Sequence, residues 1–510
     1  MIFKIRGELV VICIFLQVIS AIDVYASHKS SNLRSPNFIL LMGDDHGWSE
    51  TGYNGHPHVQ TPVLDEMART GLRFNAFYAA HPTCSPTRGS FLTGRHPNRY
   101  GTFSPGWSIR PEEITIAHLL SEAGYRCGHF GKWHIGPVKL ESPTNPASMG
   151  FHHYVSHDNF FEMNPAFSRD GRPPEIIKGE GSEVTIDETI KFIETAREAD
   201  QPFFAVVWYG SPHEPYSGLQ KDLKLYDDLP EEYAQRKVRL TSLKTGRPTE
   251  RPLRDVLRER YAEITAMDRS IGKLRDYLES KELRKNTILF YCGDNGNPRS
   301  SGRTATPLRA EKGFVYEGGI RVPGVMEWPA KIARPRTTDV AAVTSDLLPT
   351  LCDIAEIDLP KRPLDGISLL SLIDGDMSER TSPIFFWKYN TQLIGAGASK
   401  PKPWINPSLQ QGTTPLVKYS GQKLTRDFKN FHIHVPTAAD YMGSCAVIGN
   451  QYKLVIDGST NRQIELFDIQ NDQAEKINIS QQNTEIVSKM RGALRTWKES
   501  VLQSLQGKDY

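Results

Sequence analysis

The chain has 510 residues, of which 38% are hydrophobic and 24% are charged, and its 61 basic residues nearly balance its 59 acidic ones. This composition is that of a folded enzyme with one large core and room for a smaller domain, and it excludes a chain that is mainly disordered. The net charge of +2 provides no overall field for polyanions. We therefore expect no nucleic-acid partner and no stable membrane partner.

The first residues are typical of a secretory signal peptide. Lys4 and Arg6 precede an apolar run over residues 9–22, and small residues near Ala26 offer a cleavage site. The run is shorter than the roughly 20 residues of a membrane-spanning helix, although an uncleaved anchor is an alternative. We predict a signal peptide over residues 1–26 and an exported protein, either periplasmic or secreted.

Three continuous apolar runs follow, and each ends in polar residues. "NFILLMGDDHG" ends in Asp44 and Asp45, "QPFFAVVWYGSPHEP" reaches His213, and "NTILFYCGDNG" ends in Asp294 and Asn295. Uninterrupted apolar strands are typical of a mostly parallel sheet that is covered on both faces. Ligands of such sheets bind beyond the carboxyl ends of the strands, so we expect the functional site where these polar residues meet.

Helical patterns alternate with the strands. They cover residues 61–70, 116–123, 184–199 and 254–283. Strands and helices in alternation predict an α/β fold in which helices sandwich a large central sheet. The alternation also predicts that this part of the chain, over residues 34–381, forms one domain, which carries the expected functional site.

The pattern changes from residue 382 onward. Residues 390–443 are rich in Pro, Gly, Lys and aromatic side chains without periodicity, which indicates a long loop insertion. "AVIGNQYKLVI" and "RQIELFDIQ" then predict two antiparallel strands, and residues 485–502 predict an amphipathic closing helix. We expect a smaller C-terminal α+β domain over residues 382–510.

The polar residues at the strand ends suggest a metal site. Asp44 and Asp45 alone would more often only begin a turn, but Asp294 and Asn295 at a second strand end favour shared ligands. Carboxylate and amide oxygens suit Ca²⁺ or Mg²⁺. The sequence has no Cys-x-x-Cys pair that would indicate zinc. Cations and an imidazole that could bind an anionic substrate beside the metal come from Arg88, Lys132, His134 and Lys312.

The cysteines do not form a disulfide framework. Six cysteines, one of them in the predicted signal peptide, are too few and too irregularly spaced. Cys127, Cys292, Cys352 and Cys445 could be buried thiols or include one bridge. Cys84 is different, because Arg88 lies one helical turn after it in the stretch "HPTCSPTRGSFLTGR".

Several motifs together resemble one enzyme family. "PTCSPTRGSFLTG" from Pro82 looks like the sulfatase signature, and "GYRCGHFGKWH" from Gly124 looks like the second sulfatase motif. "NFILLMGDDHGW", "SPHEP", "GDNG" and "PLRAEKGFVYEGGIRVP" resemble further family motifs in the same order. The chain is similar to the formylglycine-dependent type I sulfatases of the alkaline-phosphatase superfamily. The resemblance implies their large, mostly parallel sheet with a C-terminal antiparallel sheet.

The resemblance also implies how Cys84 is used. In the family this cysteine is oxidised to formylglycine by a formylglycine-generating enzyme, and Pro86 and Arg88 match what that partner recognises. One Ca²⁺ ion is implied as well. Its implied ligands are Asp44, Asp45, Asp294, Asn295 and the modified Cys84.

The implied reaction is the hydrolysis of sulfate esters by the formylglycine hydrate. One hydroxyl of the hydrate attacks sulfur, while Arg88, Lys132 and Lys312 neutralise the sulfate oxygens. His213, with Lys312, is implied to protonate the leaving oxygen. His134 is implied to take the proton from the second hydroxyl, which expels sulfate and restores the aldehyde.

Two positions depart from the family pattern. Cys127 stands where the second motif usually has Ser or Thr, and Glu311 precedes Lys312 where small residues are common. Neither is an implied catalytic position. Glu311 would either weaken sulfate binding or contact a hydroxyl group of the substrate, and His56 and His58 are further candidates for lining the pocket.

We expect the substrate to be a sulfated carbohydrate. The insertion would then act as a lid, with cations for neighbouring sulfates and aromatic rings for sugar faces; a plain solvated loop is the alternative. A formylglycine-dependent phosphodiesterase or phosphonate monoester hydrolase, and a non-catalytic glycan-binding homologue, are alternative functions. The residues proposed for the lid are Lys400, Lys402, Trp404, Lys418, Tyr419, Lys423, Arg426, Phe428, Lys429, Phe431 and His432.

Overall fold

The structure, a computed structural model, describes residues 35–510 except 243–244, 246, 392–393, 395–400, 416–426, 434–437 and 458–462. The predicted signal peptide lies outside the described residues. So do five residues of the proposed lid: Lys400, Lys418, Tyr419, Lys423 and Arg426. Across the part of the chain that is described, no helix is both long enough and apolar enough to cross a membrane.

An 11-stranded sheet forms the centre of the fold. Its strands are β1 (Asn37–Gly43), β2 (Leu72–Tyr78), β3 (Arg126–Lys132), β4 (His153–His157), β5 (Ala166–Arg169), β6 (Glu175–Ile176), β7 (Phe203–Trp208), β10 (Thr287–Gly293), β11 (Arg321–Glu327), β12 (Arg336–Thr338) and β13 (Ala342–Val343). A separate hairpin consists of β8 (Lys237–Thr241) and β9 (Pro248–Pro252). The order in the large sheet is β12-β2-β11-β10-β1-β7-β3-β4-β5-β6, with β13 also paired to β2.

The centre of this sheet is parallel, as predicted. β10, β1, β7, β3 and β4 run in the same direction, whereas β11 is antiparallel to both β10 and β2. Parallel register places Gly43 at the end of β1 beside Gly293 at the end of β10. The polar residues that follow these strands therefore emerge at one edge of the sheet.

Ten helices are assigned within the described residues, and the longer ones cover the two faces of the sheet. They are α1 (Pro62–Thr70), α2 (Cys84–Thr93), α3 (Ile116–Glu122), α4 (Gly181–Glu198), α5 (Gln220–Leu223), α6 (Leu253–Ser280), α7 (Glu317–Ile320), α8 (Leu347–Ile354), α9 (Leu370–Asp374) and α10 (Thr484–Leu505). β1 is apolar from Phe38 to Met42 because this part is buried on both faces: Leu40 packs in one core and Leu41 in the other. α4 begins three residues before its predicted start, where the Glu180 side chain accepts a hydrogen bond from Glu183 N.

A second, four-stranded antiparallel sheet consists of β14 (Ile384–Trp387), β15 (Cys445–Ile448), β16 (Tyr452–Ile456) and β17 (Ile464–Asp468). The prediction of one strand over residues 446–456 is wrong, because Gly449 N donates to Tyr452 O and turns the chain into a hairpin. The closing helix α10 packs Trp497 and Val501 against the apolar face of this sheet. A separate antiparallel sheet is thus present, as expected.

Candidate active site

The metal-ligand candidates meet at the carboxyl edge of the central sheet. Asp294 N donates to Gly43 O at 3.0 Å, and Asp45 N donates to the Asp294 carboxylate at 2.9 Å. The Asn295 amide donates to Asp45 Oδ1 at 2.8 Å. Asp44, Asp45, Asp294 and Asn295 are all buried. Two short backbone turns thus bring the adjacent carboxylates of Asp44 and Asp45 together with that of Asp294, which lies 249 residues after Asp45 in the chain.

Cys84 lies at the first turn of α2 and faces these carboxylates. Its Sγ and one carboxylate oxygen each from Asp44 and Asp294 lie within 4.8 Å of one another. The neighbouring Ser85 fixes the start of the helix, because its hydroxyl donates to His134 O at 2.6 Å. Burial raises the pKa of the Cys84 thiol.

Arg88, one turn later on α2, is fully buried among the same carboxylates. Its Nη2 lies 2.7 Å from the Asp294 carboxylate and 3.4 Å from that of Asp44. Nη1 donates to Lys132 O at 3.2 Å, and the guanidinium lies over the Trp208 ring. The contacts of Arg88 are therefore with the candidate metal ligands and the end of β3.

Two lysines complete the positive side of the site. Lys132 Nζ donates to Asp44 Oδ2 at 2.6 Å, and Lys312 Nζ donates to Asp45 Oδ1 at 2.5 Å. Lys132 is fully buried, whereas the Lys312 side chain is 20% exposed. Burial would lower the pKa of Lys312, but the Asp45 carboxylate outweighs it and raises that pKa. Lys312 is therefore the charged group that reaches the opening of the site.

His213 lies beside Lys312. Its Nε2 is 3.7 Å from the Asp45 carboxylate, and its Nδ1 is 2.5 Å from Glu214 O. The ring stacks on Phe160, with centroids 4.7 Å apart and planes inclined by 13°. Burial lowers the pKa of His213 to about 3.

His134 follows β3 with a left-handed backbone (φ 58°). Its backbone N donates to Asp158 O at 3.1 Å, and its carbonyl accepts from Ser85, the residue after Cys84. The structure therefore places the predicted site residues on one connected set of strand ends around Cys84. They are Asp44, Asp45, Cys84, Arg88, Lys132, His134, His213, Asp294, Asn295 and Lys312.

The donor atoms fit a hard divalent cation. Burial and the neighbouring Asp44 raise the pKa of Asp294 to about 6 despite the nearby Arg88, which shows that these carboxylates repel one another. For Asp45, burial would raise the pKa, but Lys312 and His213 outweigh it and lower that pKa. Within the described residues, the buried Asn295 Oδ1 has no hydrogen-bond partner. Crowded carboxylates and an unpaired amide oxygen are the ligand set that Ca²⁺ prefers.

Arg260 is a site residue that the sequence analysis missed. This buried α6 side chain pairs with Glu50 through two bonds and donates both to Asp45 O at 2.6 Å and to Pro212 O. A signal was present, since Arg260 occupies the apolar face of the helix together with Leu257 and Ile264. A charged residue on that face requires a buried partner.

Other candidate residues have structural contacts. His56 is buried, and its Nδ1 accepts hydrogen bonds from the backbone of His58 and Val59, so it organises a turn. Glu311 lies 3.9 Å from Arg303 near the opening. The remaining cysteines are buried free thiols in the described structure: Cys127, Cys292, Cys352 and Cys445.

The fold is the alkaline-phosphatase-like one that the sequence motifs imply. The crystal structure of Ps i-CgsB in complex with k-i-k-neocarrahexaose has the same fold, with a TM-score of 0.72 at 22% identity over 92% of this chain and 94% of that one. Residues 36–357 match the family model described as Sulfatase.

Two sequence relatives agree with that match. The chain is 31% identical to N-acetylgalactosamine-6-sulfatase of Mus musculus over 429 residues, which cover 76% of this chain and 75% of the relative. It is 32% identical to arylsulfatase A of Homo sapiens over 403 residues, which cover 72% and 73% of the two chains. The chain therefore belongs to the sulfatase family and is a sulfuric ester hydrolase.

Proposed function

We propose that this enzyme removes sulfate from carbohydrates by means of a formylglycine made from Cys84 and one Ca²⁺ ion. The observation that carries the proposal is the position of Cys84. It is buried at a helix start, with its Sγ within 4.8 Å of carboxylate oxygens of both Asp44 and Asp294. A side chain in that position can share a cation with the carboxylates and face a sulfate group bound by Lys132 and Lys312.

The unmodified thiol is poorly suited to this position. Burial raises the pKa of Cys84, so the thiol stays protonated at neutral pH, and a protonated thiol is a weak nucleophile. Hydrated formylglycine supplies two hydroxyls on one carbon, and a bound Ca²⁺ ion increases the acidity of the attacking hydroxyl. Asp44, Asp45, Asp294 and Asn295 would hold the ion, with the modified residue 84 as a further ligand.

The cations of the site would bind the sulfate group. Lys312 remains charged and is partly exposed beside Asp45, and Lys132 contacts the neighbouring carboxylate of Asp44. Both can contact sulfate oxygens, where negative charge has to be stabilised in the transition state. Arg88 would contribute positive charge from the buried part of the site, because its guanidinium packs against Asp294 and Trp208.

His213 and Lys312 are the two candidates for donating a proton to the leaving oxygen. Nδ1 of His213 donates to Glu214 O, so the neutral imidazole turns an unprotonated Nε2 toward Asp45. Lys312 carries a proton at neutral pH. We assign the proton to Lys312 and the orientation of the leaving group to His213.

His134 would act on the opposite side of residue 84. Its carbonyl accepts a hydrogen bond from Ser85, and its backbone N donates one to Asp158 O, so the backbone of His134 is fixed relative to residue 84. We assign it the removal of a proton from the second hydroxyl, which releases sulfate and restores the aldehyde. Serine at position 84 lacks that hydroxyl and would remain sulfated.

Two observations support a carbohydrate substrate. One relative is named N-acetylgalactosamine-6-sulfatase, and a protein of the same fold was crystallised with k-i-k-neocarrahexaose. The described part of the insertion also reaches the site, because the Phe428 ring lies 6.2 Å from that of His134 and Lys429 lies over Trp107. The insertion can therefore contact the alcohol part of the substrate.

The decisive experiment measures the released ion. The protein is produced together with a formylglycine-generating enzyme, and mass spectrometry of the peptide containing residue 84 confirms the aldehyde. Sulfate and phosphate release are then compared across sulfated mono- and polysaccharides and matched phosphate esters, with Cys84→Ala as the control. We expect sulfate release from a sulfated sugar that the control abolishes.

The other outcomes point to the other functions. Release of the alcohol from a phosphate diester or a phosphonate monoester, tested in parallel and without any sulfate release, would indicate a phosphodiesterase or phosphonate monoester hydrolase. Binding of sulfated glycans without any release, with the aldehyde confirmed, would indicate a glycan-binding protein.

Export is tested separately: N-terminal sequencing of the mature protein should begin after residue 26, and an intact start would contradict the predicted signal peptide.

A further inference from the structure

A buried ionic cluster outside the active site joins the small sheet to the segment that carries Lys312. Lys453 of β16 is fully buried, with its Nζ 2.8 Å from Glu317 and 2.8 Å from Glu475. Glu475 also accepts a hydrogen bond from Glu317 N at 2.8 Å, at the start of α7. Glu317 is further bonded to Tyr78 of the central sheet. The cluster therefore ties both sheets to residue 317.

Backbone hydrogen bonds within residues 309–319 connect Glu317 to Lys312. Gly318 N donates to Arg309 O at 2.8 Å, and Phe314 N donates to Glu311 O at 3.1 Å. A Cβ atom on Gly318 would come within 2.5 Å of Arg309 O, so the two ends of the segment are in close backbone contact. Displacement of Glu317 would therefore act on the segment over residues 309–319, in which Lys312 N also donates to Asn297 O at 2.9 Å.

Side chains of the small sheet also contact the segment over residues 309–319 at a second point. Arg309 donates to the Glu465 carboxylate of β17 at 3.0 Å and to Glu475 O at 3.3 Å. Tyr316 donates to Glu465 at 2.5 Å, and its ring packs under Arg309. Both flanks of Lys312 are thus held by side chains from the small sheet.

We propose that Lys453 and Glu475 are positioning residues for sulfate ester hydrolysis, acting through Glu317 on the placement of Lys312. The inference rests on the role assigned to Lys312 in the proposed function. Without Lys453, the buried Glu317 and Glu475 carboxylates would have only Arg321, 3.4 Å from Glu317, to offset their charge, and their repulsion would weaken the hydrogen bond that Glu317 N donates to Glu475. The Lys312 ammonium would then lose its fixed position next to Asp45.

A double-mutant cycle separates positioning from general stability. Lys453→Met should lower kcat/KM by about tenfold or more when Lys312 is present, because small displacements of catalytic groups are costly. In a Lys312→Ala background, the same change should lower kcat/KM by less than about twofold, because it has no lysine left to displace. Equal losses in both backgrounds would overturn the proposal.

Three further variants sharpen the cycle. Arg275→Met removes a similarly buried ion pair with Glu327 at the opposite end of β11, so it should lower the Tm without lowering kcat/KM. Adding Glu475→Gln to Lys453→Met should restore part of the activity, because Gln accepts from Glu317 N without the repulsion. If Lys453→Met does not fold, Glu475→Gln alone is run through the same cycle, with an expected loss of about threefold.

The same double-mutant cycle is repeated on the binding of inorganic sulfate, measured by calorimetry. It distinguishes failure of the positioning proposal from failure of the proposed function. Lys453→Met should weaken sulfate binding in the presence of Lys312 and leave it unchanged in Lys312→Ala. If no sulfated substrate is hydrolysed but this pattern holds, the proposed function fails, whereas the positioning of Lys312 by Lys453 and Glu475 stands. If substrates are hydrolysed but the effects on binding and turnover are simply additive, the positioning role fails and the proposed function stands.

Discussion

Arg260 Nη2 donates to the carbonyl oxygen of Asp45 at 2.6 Å, so a helix side chain fixes the backbone of a candidate metal ligand. Asp45 has a left-handed backbone (φ 62°), a conformation that a non-glycine residue adopts only when its surroundings hold it. The same guanidinium donates to Pro212 O, one residue before His213. One buried cation therefore positions residues on both sides of the site.

We expect Arg260→Met to impair both stability and catalysis. It leaves the Glu50 carboxylate buried without its partner, which should cost about 3–5 kcal/mol of unfolding free energy. It also frees the turns of Asp45 and His213, so kcat/KM should fall by about tenfold or more. Thermal unfolding and initial rates per folded molecule measure the two effects.

The double variant Glu50→Gln with Arg260→Met separates these effects. Removing the unpaired carboxylate should recover much of the lost stability, whereas the carbonyls of Asp45 and Pro212 remain without their donor. Activity should therefore stay low. Full recovery of kcat/KM in the double variant would show that Arg260 acts only through stability.

Ca²⁺ should stabilise the folded protein by binding the carboxylates of Asp44, Asp45 and Asp294. At a free concentration 100 times its Kd, a ligand of the folded state raises the unfolding free energy by about 2.7 kcal/mol. We expect EGTA to lower the Tm and abolish sulfate release, and added Ca²⁺ to restore both. In Asp45→Asn, the Ca²⁺-dependent rise in Tm should be much smaller, since one charged ligand is lost.

An aspartate remote from the site provides the matched control for this measurement. Asp353 is exposed and bonds to Ser368, so Asp353→Asn should keep the full Ca²⁺-dependent rise in Tm. If Asp45→Asn responds to Ca²⁺ as strongly as the parent protein does, Asp45 is not a ligand.

The large sheet and the carboxylate positions could be predicted because they depend on local patterns. Apolar runs in βα alternation require a parallel sheet, and parallel strands end at one edge, so Asp44 and Asp294 had to emerge close together. The role of Cys84 came instead from the resemblance to a family. Its contacts with Asp44 and Asp294 depend on how α2 packs against the strand ends, which no local pattern encodes.

The residues that support the site could not be predicted in this way. Arg260 meets Glu50 across 210 residues, and Lys453 meets Glu317 across 136, so neither pair leaves a spacing signal. The missed hairpin has a different cause. Gly449 and Asn450 are turn-forming residues, but the apolar residues on both sides suggested one continuous strand.

The stack of Phe160 on His213 should matter most for poor leaving groups. Phe160→Ala removes a ring contact worth about 0.5–1.5 kcal/mol beyond its buried area and leaves the imidazole held mainly by its hydrogen bond to Glu214 O. We expect kcat/KM for a sugar sulfate to fall by about fivefold or more, because the leaving alkoxide needs a proton from Lys312 and His213 orients it for that transfer. An aryl sulfate should be less affected, since a phenolate leaves without one.

Phe160→Tyr keeps the ring and should keep the rate on both substrates. Rates for the sugar sulfate and the aryl sulfate are measured side by side for the parent protein and both variants. Equal losses on the two substrates in Phe160→Ala would indicate that the ring contributes to folding or general binding, rather than to the orientation of His213.

Glu180 gives a prediction for the pH dependence of stability. This buried residue precedes α4 and accepts a hydrogen bond from Glu183 N at 2.9 Å, yet burial raises its pKa from 4.5 to about 7. Between these two values the folded protein holds a proton that the unfolded chain has released. The contribution of Glu180 to stability is therefore complete below pH 4.5 and is lost as the pH rises toward 7.

Glu180→Gln should remove this loss, because the amide cannot ionise and its oxygen still accepts from Glu183 N. At pH 8 the variant should be more stable than the parent protein by up to about 3 kcal/mol, and at pH 4.5 the two should be nearly equal. Denaturant unfolding at both pH values measures the difference. Glu198→Gln, at the exposed end of the same helix, should show no such pH-dependent gain. A gain for Glu180→Gln of the same size at both pH values would mean that its carboxyl group does not titrate as burial predicts.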